Sequence, residues 1–73
     1  MNITVVVTWL DGTVMADWSA VEFSNELNAL DYLALHFRDC PRSALEAALK
    51  QGHLSANSTH MSGTYITHAT ITR

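Results

Sequence analysis

A chain of 73 residues, 48% apolar and 15% charged, is too apolar to stay disordered and too short for more than one domain with one small core. Four Lys and Arg against seven Asp and Glu leave a net charge of −3, which speaks against direct binding of nucleic acid, where clustered cations must meet phosphates. A single cysteine, Cys40, rules out an internal disulfide, the N-terminus shows no secretory leader, and the apolar run at residues 3–10 is far short of the roughly 20 residues of a membrane span, so a cytoplasmic location is expected.

Ile3, Val5, Val7 and Trp9 alternate with Thr4, Thr8 and Leu10, a period of two in β-branched and aromatic residues that predicts a strand. Asp11-Gly12 follows, and that dipeptide predicts a two-residue type I′ turn. A second strand is expected from Thr13 to about Trp18, with Val14, Ala16 and Trp18 on a buried face and Met15 and Asp17 on the other. From Phe23 the spacing changes to Phe23, Leu27, Leu30, Ala34 and Phe37, steps of three and four that draw one stripe along a helix. Ser24 is the expected N-cap, Glu26 suits the positive end of the helix dipole, and Arg38 suits the last turn. Ser19 with Glu22 three positions on offers a start one turn earlier.

Pro41 predicts the first turn of a second helix, capped by Asp39 or Cys40. Ala44, Leu45, Ala48 and Leu49 form its apolar face, Glu46 and Lys50 pair on the other, and Gly52 supplies a left-handed stop. Beyond Gly52, Tyr65, Thr67, Ala69 and Ile71 alternate with Ile66, His68 and Thr70, which predicts a strand over 64–72. A Ser62-Gly63 turn returns it from a weaker strand at 57–61 or 54–57, a register that sets His60 opposite Tyr65 and His68 opposite Asn57. The order β-β-α-α-β-β predicts an α+β fold: one two-layer domain over residues 1–73, an antiparallel sheet with two helices on one face.

The chemistry-bearing side chains are sparse. Of His36, His53, His60 and His68, the closest pair is seven positions apart, wider than the spacing of about two to five that announces a zinc site. No metal and no cofactor are expected. Cys40 at a helix start is placed for thiol activation, but no adjoining base identifies itself, so a packing or capping role is expected. No acid and base pair or nucleophile motif appears, and the expectation is a protein that is not an enzyme.

Charge is unevenly spread. Residues 1–37 hold Asp11, Asp17, Glu22, Glu26 and Asp31 and no Lys or Arg; beyond them Arg38, Arg42, Lys50 and Arg73 face Asp39 and Glu46. Such a split steers a protein toward a basic partner. Asp17, Glu22, Glu26 and Asp31 are the candidate partner-binding residues, with Glu22 and Glu26 as helix neighbours whose repulsion a partner's cation would relieve. The plainer reading is that helix N-termini favour acids. Trp9 and Trp18 flank the first turn as interface anchors or as core residues under the helices.

In size, acidity, lack of catalytic motifs and α+β layout, the chain resembles the small inhibitor proteins of bacteriophages and mobile elements, anti-CRISPR proteins among them. The resemblance spans the whole chain in overall character and rests on no motif, so no functional residue is carried over by position. It implies a phage-encoded, non-enzymatic inhibitor in the host cytoplasm. Such a protein binds the basic surface of a nucleic-acid-binding defence complex through acidic residues, without touching nucleic acid or membrane. One alternative is a self-associating structural or accessory module, a homodimer whose terminal strands serve as sheet edges, since residues 53–72 lack the Lys residues that discourage edge pairing. A second is a small metal or thiol site protein built on Cys40 and the histidines.

Overall fold

Six elements follow one another: β1 (Asn2–Trp9), β2 (Val14–Glu22), α1 (Glu26–His36), α2 (Arg42–Gln51), β3 (His53–His60) and β4 (Gly63–Thr72). The computed structural model describes residues 1–61 and 63–73, His60 by its backbone alone. The strands form one antiparallel sheet in the order β2-β1-β4-β3, and the helices cover one face of it, as the α+β pattern predicts. The terminal strands β1 and β4 pair with each other at the centre. The edges are therefore β2 and β3, not the terminal strands as the self-association reading expected. No helix is long and apolar enough to cross a membrane.

The β1–β2 turn differs from the expected type I′. Leu10, Asp11 and Gly12 form a three-residue loop, in which Gly12 N donates to Trp9 O at 2.9 Å and Trp9 N donates to Thr13 O at 2.9 Å. Only Gly12 there has positive φ, at 90°, whereas type I′ requires it at both central residues. Asp11 instead accepts from Thr13 N at 2.8 Å through its side chain. Its carboxyl sits below the usual range chiefly because the Thr13 backbone N–H stabilises the anion.

β2 runs four residues past Trp18, to Glu22, and so excludes a helix start at Ser19. It reaches that length with register shifts against β1 between Ile3 and Val5 and between Val7 and Thr8. α1 is capped by Asn25, whose side chain accepts from Asn28 N at 2.9 Å. Ser24, the expected cap, is one residue too early, because Asn25 already has the extended backbone a cap requires. Arg38 falls beyond α1, whose C-cap is Phe37. Pro41 itself is the residue at the α2 N-cap, with no side-chain bond there, rather than Asp39 or Cys40. Gly52, at φ 90°, ends α2 as predicted.

β3 (His53–His60) spans the expected segment 54–57 and all but the last residue of 57–61. It pairs with β4 from His53↔Thr70 to His60↔Gly63, so His68 lies opposite Ser55, not Asn57, and His60 opposite Gly63, not Tyr65. Since His60 and Gly63 close the ladder, Gly63 belongs to β4; Ser62 of the expected Ser62-Gly63 turn lies outside the described residues.

Ile3, Val5, Ala69 and Ile71 from the sheet meet Ala29, Leu30, Leu33 and Phe37 of the α1 region and Leu45, Ala48 and Leu49 of α2. α1 thus buries a stripe rotated from the one its spacing predicted: Ala29 and Leu33 replace Leu27, which is 63% exposed, and Ala34. Leucine or another apolar residue occurs on nearly every face of this helix, so spacing alone does not fix which face turns inward. Leu33, with no exposed surface, sits at the middle of this contact. Leu33→Ala is expected to lower stability by about 2–5 kcal/mol through the lost side chain and the cavity left behind, read from urea or thermal denaturation.

Candidate functional site

Two short helices cannot cover this sheet. α1 has 11 residues and β4 has 10, but a helix rises about 1.5 Å per residue and a strand about 3.3 Å, so α1 is roughly 16 Å long over a strand of about 33 Å. The helix layer packs on the end of the sheet that carries Ile3, Val5, Ala69 and Ile71. Past Val7 and Thr67 the helix-facing side is open, and there it forms a groove of about 490 Å³. Trp9 and Tyr65, opposite one another in the β1–β4 ladder, make its far end, with rings edge to face at a centroid distance of 6.3 Å. Met15, Ala16 and Trp18 of β2 form one wall, and Leu35 with His36 at the end of α1 forms the other. Leu35, Trp18 and Met15 are 66%, 42% and 41% exposed.

The wall of the groove is braced by a row of four rings. Trp18 packs against His36 at 4.7 Å, His36 against Tyr32 at 4.9 Å and Tyr32 against Phe23 at 5.1 Å between centroids. His36 and Tyr32 are four apart on α1 and therefore neighbours. Trp18 and Phe23 come from β2 and the residue after it. Each aromatic pair contributes roughly 0.5–1.5 kcal/mol beyond its buried area, and the row ties an otherwise exposed edge strand to the helix. Partial burial pushes the His36 imidazole below its usual 6.5, and the Tyr32 phenol upward. The buried Tyr32 hydroxyl has no hydrogen-bond partner among the described residues.

The expected acidic residues lie apart. Asp17 is opposite Val6, on the sheet side away from the helices, since Val5 and Val7 point inward. Glu22 ends β2 opposite Asn2, so it is not a helix neighbour of Glu26, which begins α1. Glu26 lies 3.7 Å from Arg73 Nη2, which also donates to Leu49 O at 3.1 Å near the end of α2. Asp31 accepts from Arg42 Nη1 at 3.2 Å. Both ion pairs are exposed and each contributes at most about 1 kcal/mol. Among the described residues, Asp17 and Glu22 make no ion pair.

The groove unites Val7, Met15, His36, Tyr65 and Thr67, which the sequence pattern assigns to separate elements and to no common site, with Leu35, which it does not single out. Its lining has no carboxylate, lysine or cysteine, and with His36 held toward its neutral form its chemistry is that of an apolar contact surface. Cys40 is half-buried against the core, its amide donating to Phe37 O at 3.1 Å. No three His, Cys, Asp or Glu side chains converge among the described residues. On the open sheet face His68 bridges two hydroxyls, with Nε2 at 3.2 Å from Thr8 Oγ1 and Nδ1 at 3.2 Å from Ser55 Oγ.

Two outcomes follow from the ring row. Above its ordinary value of 6.5, His36 is neutral folded and unfolded; as the pH falls below that, the unfolded chain takes up the proton first and stability drops until the folded value is passed. Denaturation midpoints are expected to fall between about pH 7 and pH 5, with His36→Phe removing that component. Tyr32→Phe, which deletes an unpartnered hydroxyl, is expected to be neutral or to stabilise by about 1 kcal/mol in the same measurement. Comparison of the chain with protein-family models, curated proteins and solved structures finds no match in any of the three.

Proposed function

We propose that the protein is a non-enzymatic inhibitor that docks on a protein partner with a basic surface, and that the open half of the helix-facing sheet is where it docks. The supporting observation is the groove itself: apolar, uncharged in its lining, and walled by β2 within the 37 residues that carry no Lys or Arg. An occupant that fits it places apolar side chains against Trp9, Trp18, Leu35 and Tyr65. Burying one side chain of leucine or phenylalanine size there contributes about 1.5–3 kcal/mol. Asp11 at the hairpin tip and, on the opposite face of the same edge strand, Asp17 and Glu22 supply a negative field, an attraction that acts mainly on encounter rate and partner choice. Glu26 and Asp31 add to the negative field of the same half of the chain, weakened by Arg73 and Arg42 beside them.

The resemblance to small phage inhibitors makes the proposed protein a phage-encoded, anti-CRISPR-like one that occupies the basic nucleic-acid surface of a host defence complex in the cytoplasm. Surfaces built to hold phosphates are rich in Lys and Arg, and an apolar anchor site walled by the strand that carries Asp17 and Glu22 competes for them.

A photo-activated cross-linker at Leu35, expressed in cells of the source organism, tests this against the same probe at Thr59 on the other side of the sheet. The Leu35 probe is expected to capture one protein with a basic surface, and Trp18→Ala to reduce capture roughly tenfold or more, as loss of a central aromatic anchor does. Equal capture from both probe positions would sink the docking surface. Capture that survives Asp17→Lys with Glu22→Lys would remove its electrostatic part.

A further inference from the structure

The two sheet edges differ in how they can receive another strand. β2 carries Asp17 and Glu22 and is distorted by two register shifts, and charges and bulges of this kind blunt an edge against pairing. β3 has neither. It runs alongside β4 over eight consecutive pairs without a shift, and it contains no Pro, Gly, Asp, Glu, Lys or Arg. From residue 53 to residue 72 the chain carries no formally charged side chain at all. Among the described residues, no other strand pairs with the outer side of β3, which leaves a row of backbone donors and acceptors at that edge.

We propose that β3 pairs antiparallel with β3 of a second copy, joining two four-stranded sheets into one of eight strands. Charge selects this edge over the other. Each copy carries −3, and a two-fold contact at β2 would bring Asp17 and Glu22 of both copies together. Contact at β3 instead separates the two β2 strands by seven strand spacings, about 34 Å, well beyond a Debye length of about 8–10 Å. The occupant is a second copy because the edge is neutral: it has no charge with which to select a charged partner, and its interior holds only Leu, Ser, Ala, Asn and Thr.

Face matching narrows the register. Directly opposed residues in an antiparallel pair share a face, so the two-fold axis passes midway between the two copies of one residue, and the middle of β3 is Ala56 or Asn57. With Ala56 on the axis, Ser55 faces Asn57 of the second copy; with Asn57 on the axis, the two Asn57 residues face each other. Either way both helix layers lie on the same side of the joined sheet, and the two grooves face the same direction. A dimer of this form presents two docking surfaces to one partner, which raises its effective affinity where the partner also repeats.

Light scattering over a dilution series tests the seam. The wild-type protein is expected to have twice the 8.1 kDa chain mass at high concentration and to dissociate on dilution. S55K/N57K places like charges opposite one another in both registers and is expected to be monomeric; S55E/N57E likewise. Mixed in equal amounts, the two variants are expected to recover the dimer mass, because Lys then faces Glu across the axis. Ser55→Lys also removes the bond to His68, so unchanged circular dichroism establishes that each variant is folded. Ser19→Lys at the β2 edge is expected to leave the dimer intact. A wild-type monomer at every concentration, a dimeric S55K/N57K, a mixture that stays monomeric, or dissociation by Ser19→Lys would each overturn the proposal.

Discussion

The rest of this structure depends on a mismatch of lengths. A residue in a helix advances the chain by less than half of what it does in a strand, and the two helices here are only as long, in residues, as the strands they cover. Their apolar stripes close over the end of the sheet where Ile3, Val5, Ala69 and Ile71 lie. They stop before the end where Trp9 and Tyr65 lie. One domain thus contains a closed core and, continuous with it, an open apolar floor of the same alternating pattern. A chain this small has little core to spare, so an uncovered aromatic end is a costly feature unless something else comes to cover it.

The strand most exposed by this arrangement is β2, in which no residue is fully buried and Ala16 is the best covered. Backbone pairing with β1 holds it on one side. On the other, Trp18 and Phe23 reach across to His36 and Tyr32 and form the ring row. The same row fixes the rotation of α1. With Tyr32 and His36 turned toward β2, Leu33 and Ala29 fall into the core, and Leu27 and Leu35 are left on the surface. Leu35 then becomes a wall of the groove. The row has its costs, a histidine shifted toward its neutral form by partial burial and a phenol without a partner among the described residues, both consequences of placing polar-tipped rings where leucine would pack without penalty.

Electrostatics divides the molecule in the same way as packing. The chain's acids are carried largely by β2 and α1, and two of its four cations, Arg42 and Arg73, are turned back onto Asp31 and Glu26. The β3–β4 hairpin is neutral. One edge of the sheet is therefore charged, bulged and bound to the helix layer through aromatic rings, while the other is uncharged and regular. Two different kinds of contact suit these two edges, an attraction to cations at the first and backbone pairing at the second.

Element types and their order were legible along the chain because each rests on local physics. Alternation at Ile3 to Trp9 and at Tyr65 to Ile71 specifies strands, the spacing of Leu45, Ala48 and Leu49 specifies a helix face, and Gly52 stops that helix because it alone tolerates φ 90°. The carboxylates, too, could be counted in advance, but not their partners, since Glu26 meets Arg73 from the other end of the chain. Strand order, the β3–β4 register, the rotation of α1 and the groove came only with the tertiary structure. The first two depend on pairings between residues distant in sequence, and polar strands such as residues 55–59 carry little hydrophobic signal to fix a register. The last two depend on how far the helices extend over the sheet and on rings contributed by β2. No periodicity within one segment contains that information, because it is a property of how segments of unequal length are laid over one another.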